Sequence, residues 1–156
     1  VARTEYYDDP DAPPPNSLVV GVSVAIRDDQ GRVLLQRRAD NGLWAMPGGG
    51  MDLTESVPEA GRREVKEETG YDVEITGMTG LYTDARHIMA YCDGEVRRQF
   101  NICLAGRIVG GEMAISDEST ELRWVPAAEL DALPMHRTQR MRLRHLMENR
   151  DQPYIG

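Results

Sequence analysis

The chain has 156 residues, 40% of them hydrophobic and 28% charged, and its 26 acidic and 18 basic residues leave a net charge of -8. At this length folding buries roughly two-thirds of the chain's surface, so one domain with a real core is expected, and a disordered, collagen-like or low-complexity chain is excluded. The acidic balance disfavours duplex nucleic acid or an anionic membrane surface as partner, no apolar run approaches the ~20 residues of a membrane span, and Cys92 and Cys103 are too few for a disulfide scaffold. With no signal-like apolar start, a cytoplasmic location is expected; Val1 in place of a methionine leaves room for a trimmed upstream segment.

Residues 1–16 contain Asp8, Asp9, Asp11 and four of the nine prolines, a composition that resists helix and sheet, and are expected to form a flexible arm in which Tyr6 and Tyr7 could anchor a homodimer. A single domain is then expected over 17–150, with a tail at 151–156. Leu18 to Arg27 reads as a Val-rich strand, Asp28 to Gly31 as a turn and Arg32 to Arg38 as a second strand, together a hairpin. Trp44-Ala45-Met46 is a short apolar piece stopped by Pro47-Gly48-Gly49-Gly50. Ser56-Val57-Pro58-Glu59 is a capping-box pattern that opens a helix from Val57 to Thr69, and Gly70 ends it. Tyr71 to Tyr82 is strand-like with interruptions at Gly77 and Gly80. Asp93-Gly94 turns a strand from His87 to Cys92 into another from Glu95 to Ile108. Gly110-Gly111 opens a loop through Ser119, Glu121 to Val125 is a further strand, and Ala127 to Leu130 and Thr138 to Asn149 read as helices separated by Pro134.

A helical wheel of residues 57–69 places Val57, Ala60, Gly61, Val65 and Thr69 in one arc, the face expected against the sheet. Glu64 and Glu68 fall inside the same arc, Glu67 borders it, and Glu59, Arg62 and Lys66 point away. Carboxylates held against a core need a partner, and the choice is arginine or a divalent cation. Glu64 and Glu68 lie one turn apart with Glu67 beside them, so three hard oxygen ligands converge where Mg²⁺ or Mn²⁺ fits. A surface helix laced by pairs such as Arg63 with Glu67 is the plainer alternative.

The residues ahead of the helix favour the metal. Gly49, five residues, Glu55, seven residues, then Arg63-Glu64-Val65-Lys66-Glu67-Glu68-Thr69-Gly70 resembles the signature of the Nudix hydrolases, with Tyr71 where an aliphatic residue is usual. The hairpin before it, Trp44 with Pro47-Gly48-Gly49, and Trp124-Val125-Pro126 are similar to the usual surroundings of that box. The resemblance implies an α/β fold, an α/β/α sandwich with a mixed central sheet in which the box forms a loop-helix-loop. It also implies metal-assisted hydrolysis of a nucleoside diphosphate linked to a moiety X, a nucleotide-derived small-molecule substrate. Carried over residue by residue, Glu64, Glu67 and Glu68 are metal ligands, Arg63 orients the glutamates, Gly49 shapes the site through its backbone and Glu55 supports the loop. Such enzymes often take a further acidic residue from the loop ahead of the strand ending in Trp-Val; Glu118 is the candidate, as fourth metal ligand and general base, with Asp117 and Glu121 beside it.

Outside the box, Arg37 and Arg38 alternate across one strand and either could meet a substrate phosphate or simply solvent, Arg38 being the candidate, and Trp44 is a candidate for a base. Tyr82 and Tyr91 share that second option, while Phe100 is assigned to the core. His87 and His136 could assist catalysis, although isolated histidines are more often at the surface. The proline of ADP-ribose hydrolases is replaced by His87, and the tyrosine of dinucleoside polyphosphate hydrolases is not matched at Ile88 or Met89. A module that senses a nucleotide derivative is the competing function, and the complete box argues against it.

Overall fold

A computed structural model describes residues 3–156. The chain runs through β1 (Arg3–Tyr7), β2 (Ser17–Leu18), β3 (Gly21–Ile26), β4 (Val33–Arg38), β5 (Trp44–Ala45), β6 (Gly48–Gly50), α1 (Val57–Thr69), β7 (Tyr71–Tyr82), β8 (His87–Tyr91), β9 (Val96–Arg98), β10 (Asn101–Gly111) and β11 (Ser119–Val125). A 3-10 helix (Ala127–Ala132), α2 (Arg137–Met147) and β12 (Tyr154–Ile155) complete it. A five-stranded mixed sheet in the order β12-β7-β10-β3-β6 forms the middle, with β10 parallel to β3 and antiparallel to β7. A three-stranded sheet, β11-β4-β5, and a four-stranded sheet, β1-β8-β9-β2, flank it.

The alternation along β3 sets up the two layers. Val22, Val24 and Ile26 pack with Ala60 and Val65 of α1, whereas Ala25 belongs to the opposite cluster with Leu143 and Leu146 of α2. Helix α1 has the expected limits: Ser56 accepts from the Glu59 N–H, Glu59 answers at the Ser56 N–H, and Gly70 closes the helix at φ 77°. It lies tight on the sheet because a Cβ at Gly61 would come within 2.9 Å of Leu104 Cδ1.

Several expectations are corrected. The arm is not wholly flexible, because Arg3–Tyr7 pairs antiparallel with β8, Tyr6 opposite Ile88 and Tyr7 opposite His87. The proline and aspartate cluster begins only after this Thr- and Tyr-containing stretch, whose composition suits a strand. Tyr7 anchors within its own chain: its hydroxyl donates to Asp84 at 2.7 Å and the Arg137 guanidinium lies 3.6 Å from its ring centre. Strands β3 and β4 flank the turn at Asp28–Gly31 but are joined next to it by the isolated Arg27–Val33 bridge and enter different sheets. Both are buried along most of their length, so each forms part of a separate sheet instead of a half-exposed hairpin.

Gly48–Gly50, expected as a stop, is itself a strand beside β3; a Cβ on Gly48 would stand 2.8 Å from Ser23 Cα, so only glycine permits this approach. The strand expected over Glu95 to Ile108 divides at Gln99–Phe100, its first part pairing with β8 and its second joining the central sheet. Gly110 and Gly111 do not open the loop but continue β10, with Gly111 opposite Tyr71.

Candidate active site

Helix α1 presents Glu64 and Glu68 to the sheet side, 9% and 4% exposed, and leaves Glu67 at the surface. Strand β6 is moulded onto them. The Gly48 N–H donates to Glu68 Oε2 at 2.9 Å, and a Cβ on Gly49 would sit 2.7 Å from Glu64 Cδ, so the carboxylate occupies the space a side chain would take. Gln36 Nε2 also donates to Glu68 at 3.1 Å, and Ser119 fixes the Gln36 amide by donating to its Oε1 at 2.8 Å.

Arg63 ties the cluster together. It donates to both oxygens of Glu55, to the Gly50 carbonyl at 3.0 Å, to Glu64 at 2.9 Å and to Glu67 at 3.2 Å. The Glu55 hydrogen bond, followed by the contact with Glu64, holds the guanidinium above its usual range, and Arg63 in turn lowers Glu55. Glu68 has no such cation. Burial, reinforced by the charge of Glu64, pushes its carboxyl up to about 8, and burial raises Glu64 as well despite Arg63. Two desolvated carboxylates with one arginine between several acids are short of positive charge. Their hard oxygens therefore suit an oxygen-seeking divalent cation.

Glu64, Glu68 and Glu118 line one cavity of about 400 Å³, together with Gly48, Gly49 and Gly50. That volume suits a small-molecule site. Glu118 is exposed, on the loop whose carbonyl accepts from the Ala39 N–H at 2.9 Å; Asp117 and Glu121 do not reach the cavity wall. Arg38 lines the cavity but is already bidentate with Asp40 at 2.6 and 2.9 Å. Trp44 also lines it, at 5% exposure and packed in the core with Arg123 4.9 Å from its ring centre. The assignment of Phe100 to the core is corrected, since it is half-buried and borders the cavity with Tyr91; Tyr82 is core and meets His145.

The histidines are not at the surface. His87 is 2% exposed, His136 half-buried, and their rings stack 4.8 Å apart. Glu5, brought in by β1, accepts from His87 Nε2 at 2.9 Å, lies 3.3 Å from His136 Nε2 and pairs with Arg3 at 2.7 Å. Burial would raise Glu5, yet the His87 hydrogen bond and the Arg3 charge outweigh it and hold the carboxyl below the usual range. The ligand atoms of Glu5, His87 and His136 lie within 4.8 Å of one another, a spacing a metal could use. The hydrogen bonds favour another reading. His136 Nδ1 accepts from the Thr138 N–H at the start of α2, so both imidazoles direct an Nε2–H at Glu5. These residues, with Gln99 and Arg142, are cavity groups that no sequence motif marked; the one available signal was the inward arc of α2, where Thr138, Arg142 and His145 are buried beside Leu146.

A family model for the NUDIX domain matches residues 17–147. The chain is similar to a "MutT-like protein" of Streptomyces ambofaciens, 40% identical over 120 residues that cover 76% of this chain and 70% of that one. It is also similar to the "Nucleoside triphosphatase NudI" of Salmonella agona (strain SL483), 34% identical over 110 residues, 65% of this chain and 78% of the relative. Among solved structures, the MutT NUDIX hydrolase of Burkholderia pseudomallei superposes with a TM-score of 0.66 at 28% identity, covering 84% of this chain and 99% of that one.

Proposed function

Because the chain belongs to the NUDIX domain family, we propose that it is a hydrolase that cleaves the diphosphate linkage of a nucleoside diphosphate joined to a moiety X, releasing a nucleoside monophosphate and P–X. The observation that carries this reading is the pair of buried carboxylates, Glu64 and Glu68, held against Gly48 and Gly49 at the wall of a 400 Å³ cavity and short of cationic partners. The nucleoside triphosphatase at 34% identity makes nucleoside triphosphates the first substrates to assay.

In this reading Glu64, Glu67 and Glu68, with Glu118 from the loop ahead of β11, would hold Mg²⁺, for which Mn²⁺ would substitute. When bound, the cation neutralises the diphosphate oxygens and acidifies the attacking water. Arg63 keeps Glu64 and Glu67 in ligating rotamers while Glu55 takes up the rest of its fork. Gly48 and Gly49 let the main chain close on the carboxylates without a side chain between them. Water forms a bond to phosphorus, the bridging oxygen leaves with its electron pair, and Glu118, exposed on the cavity wall, accepts the water's proton. Arg38 supplies positive field at the rim and Trp44 a rigid wall. The reaction belongs to the cytoplasm, where nucleotides and Mg²⁺ are both abundant.

The test is release of nucleoside monophosphate from a panel of nucleoside triphosphates and nucleotide sugars, with Mg²⁺ and with excess chelator. Turnover that needs the cation and is lost in Glu64→Gln supports the reading. Equal turnover in chelator contradicts it.

A further inference from the structure

The cavity that holds the glutamates is also lined by three side chains from other elements, each more than nine-tenths buried: Arg142 of α2 (4% exposed), Gln99 between β9 and β10 (5%) and His87 of β8 (2%). Each keeps an atom without a hydrogen-bond partner, namely Arg142 Nε, Gln99 Nε2 and His87 Nδ1. Unmet buried polar atoms are rare in folded proteins, and three on one cavity point to a ligand that completes them. The other arginines of the cavity are paired, Arg3 with Glu5, Arg38 with Asp40 and Arg97 with Glu95. Arg142 has no carboxylate partner among the described residues; its guanidinium lies 5.2 Å from the ring centre of Tyr82.

The donor and acceptor pattern is set by the surroundings. Glu5 accepts from Nε2 of His87, and in the tautomer with its proton there Nδ1 is an acceptor. The main chain of Gln99 is fixed on His87 by its N–H, which donates to the His87 carbonyl at 3.0 Å. Arg142 can only donate. A ligand that fits must offer an acceptor strong enough for a guanidinium and, next to it, an N–H for His87. An ionised phosphate offers only acceptors and would face the Glu5 carboxylate. A ring carbonyl beside a ring N–H has what is needed, because its oxygen carries two lone pairs for Arg142 and Gln99; adenine has no atom that accepts twice.

We propose that Arg142, Gln99 and His87 form the subsite for the nucleobase, selecting a keto base of the guanine or uracil type, and that Glu5 is a positioning residue that fixes the His87 tautomer. The proposal rests on reading this cavity as the nucleotide cleft. It assigns a role to β1, which lies ahead of the segment matched by the NUDIX model.

Calorimetric binding of GMP, UMP, AMP and CMP to the full chain with Mg²⁺, with inorganic tripolyphosphate as the phosphate-only probe, tests it. GMP or UMP should bind at least tenfold tighter than AMP. Arg142→Met should remove that preference while tripolyphosphate binding changes less than twofold, and its melting temperature should not fall, since a buried unpaired cation is removed. Gln99→Leu should act in the same direction, and Glu5→Gln should raise KM for the preferred nucleotide more than it lowers kcat. AMP binding as tightly as GMP and UMP, or Arg142→Met weakening tripolyphosphate and nucleotide alike, would overturn the subsite. Binding needs no turnover, so an inactive protein that still discriminates bases sinks only the hydrolase reading, whereas hydrolysis without base preference sinks only the subsite.

Discussion

Glu68→Gln separates what the carboxylate does for the fold from what it does for the cation. Burial and the nearby Glu64 charge push the Glu68 carboxyl from 4.5 up to about 8. Its contribution to stability is therefore complete below pH 4.5, where the group is protonated in folded and unfolded chains alike, and is lost as pH rises through about 8. At about 1.4 kcal/mol for each step in pKa, the ionised group weakens the cation-free fold by up to about 5 kcal/mol at pH 9. Glutamine keeps an oxygen for the Gly48 N–H and the Gln36 amide, at 2.9 and 3.1 Å in the native protein, and carries no charge. A domain of this size gains roughly 2–4 °C in melting temperature per kcal/mol. In chelator the variant should thus melt with the native protein near pH 4.5 and about 10–20 °C above it at pH 9, by differential scanning fluorimetry. Adding Mg²⁺ should reverse the order, because a ligand that binds only the folded state stabilises in proportion to RT ln(1 + [L]/Kd) and the variant binds it less well. A melting difference that stays constant across this pH range, or equal stabilisation of both proteins by Mg²⁺, would refute the reasoning.

Gly49→Ala places a methyl where the Glu64 carboxylate now lies, 2.7 Å from its Cδ, and should lower kcat/KM at least about tenfold while leaving the circular dichroism spectrum unchanged. Glu118→Gln should lower kcat about 10²-fold, with a smaller loss of Mg²⁺ affinity, if Glu118 accepts the proton; an unaltered kcat moves the base elsewhere. Deleting residues 1–8 removes the β1–β8 pairing and the acceptor of His87 Nε2, and leaving that buried donor unmet costs about 1–3 kcal/mol. The shortened chain should remain folded but melt several degrees lower, which thermal denaturation followed by circular dichroism reads directly.

The legible parts of this protein were those in which the chemistry and its spacing sit on one contiguous segment. Helix α1 could be read to the residue because capping box, wheel and terminal glycine all agree, and the inward arc of Glu64 and Glu68 carried over into their burial. Turn chemistry at Asp28–Gly31 set the chain reversal, but it could not say that β3 and β4 would part into different sheets, since pairing beyond the turn depends on what covers each face. The prolines of residues 10–15 hid β1, whose pairing with β8 is a contact across some eighty positions of sequence. Arg142, Gln99 and Glu5 were missed for the same reason, and His87 was singled out only as a histidine that could assist catalysis: each is a single polar residue, and only the fold brings them to one cavity. Arg142 alone left a trace, because Thr138, Arg142 and His145 share the buried arc of α2 just as Glu64 and Glu68 share that of α1.

The central claim is that water attacks phosphorus in a diphosphate bridge under the control of the α1 glutamates. Hydrolysis of a nucleoside triphosphate or nucleotide sugar in ¹⁸O-labelled water with Mg²⁺, followed by mass spectrometry of the products, tests it most directly. The account predicts one ¹⁸O on a phosphate product and no incorporation above background in Glu64→Gln. Label found only on the alcohol of X, or incorporation by Glu64→Gln at the native rate, would contradict it.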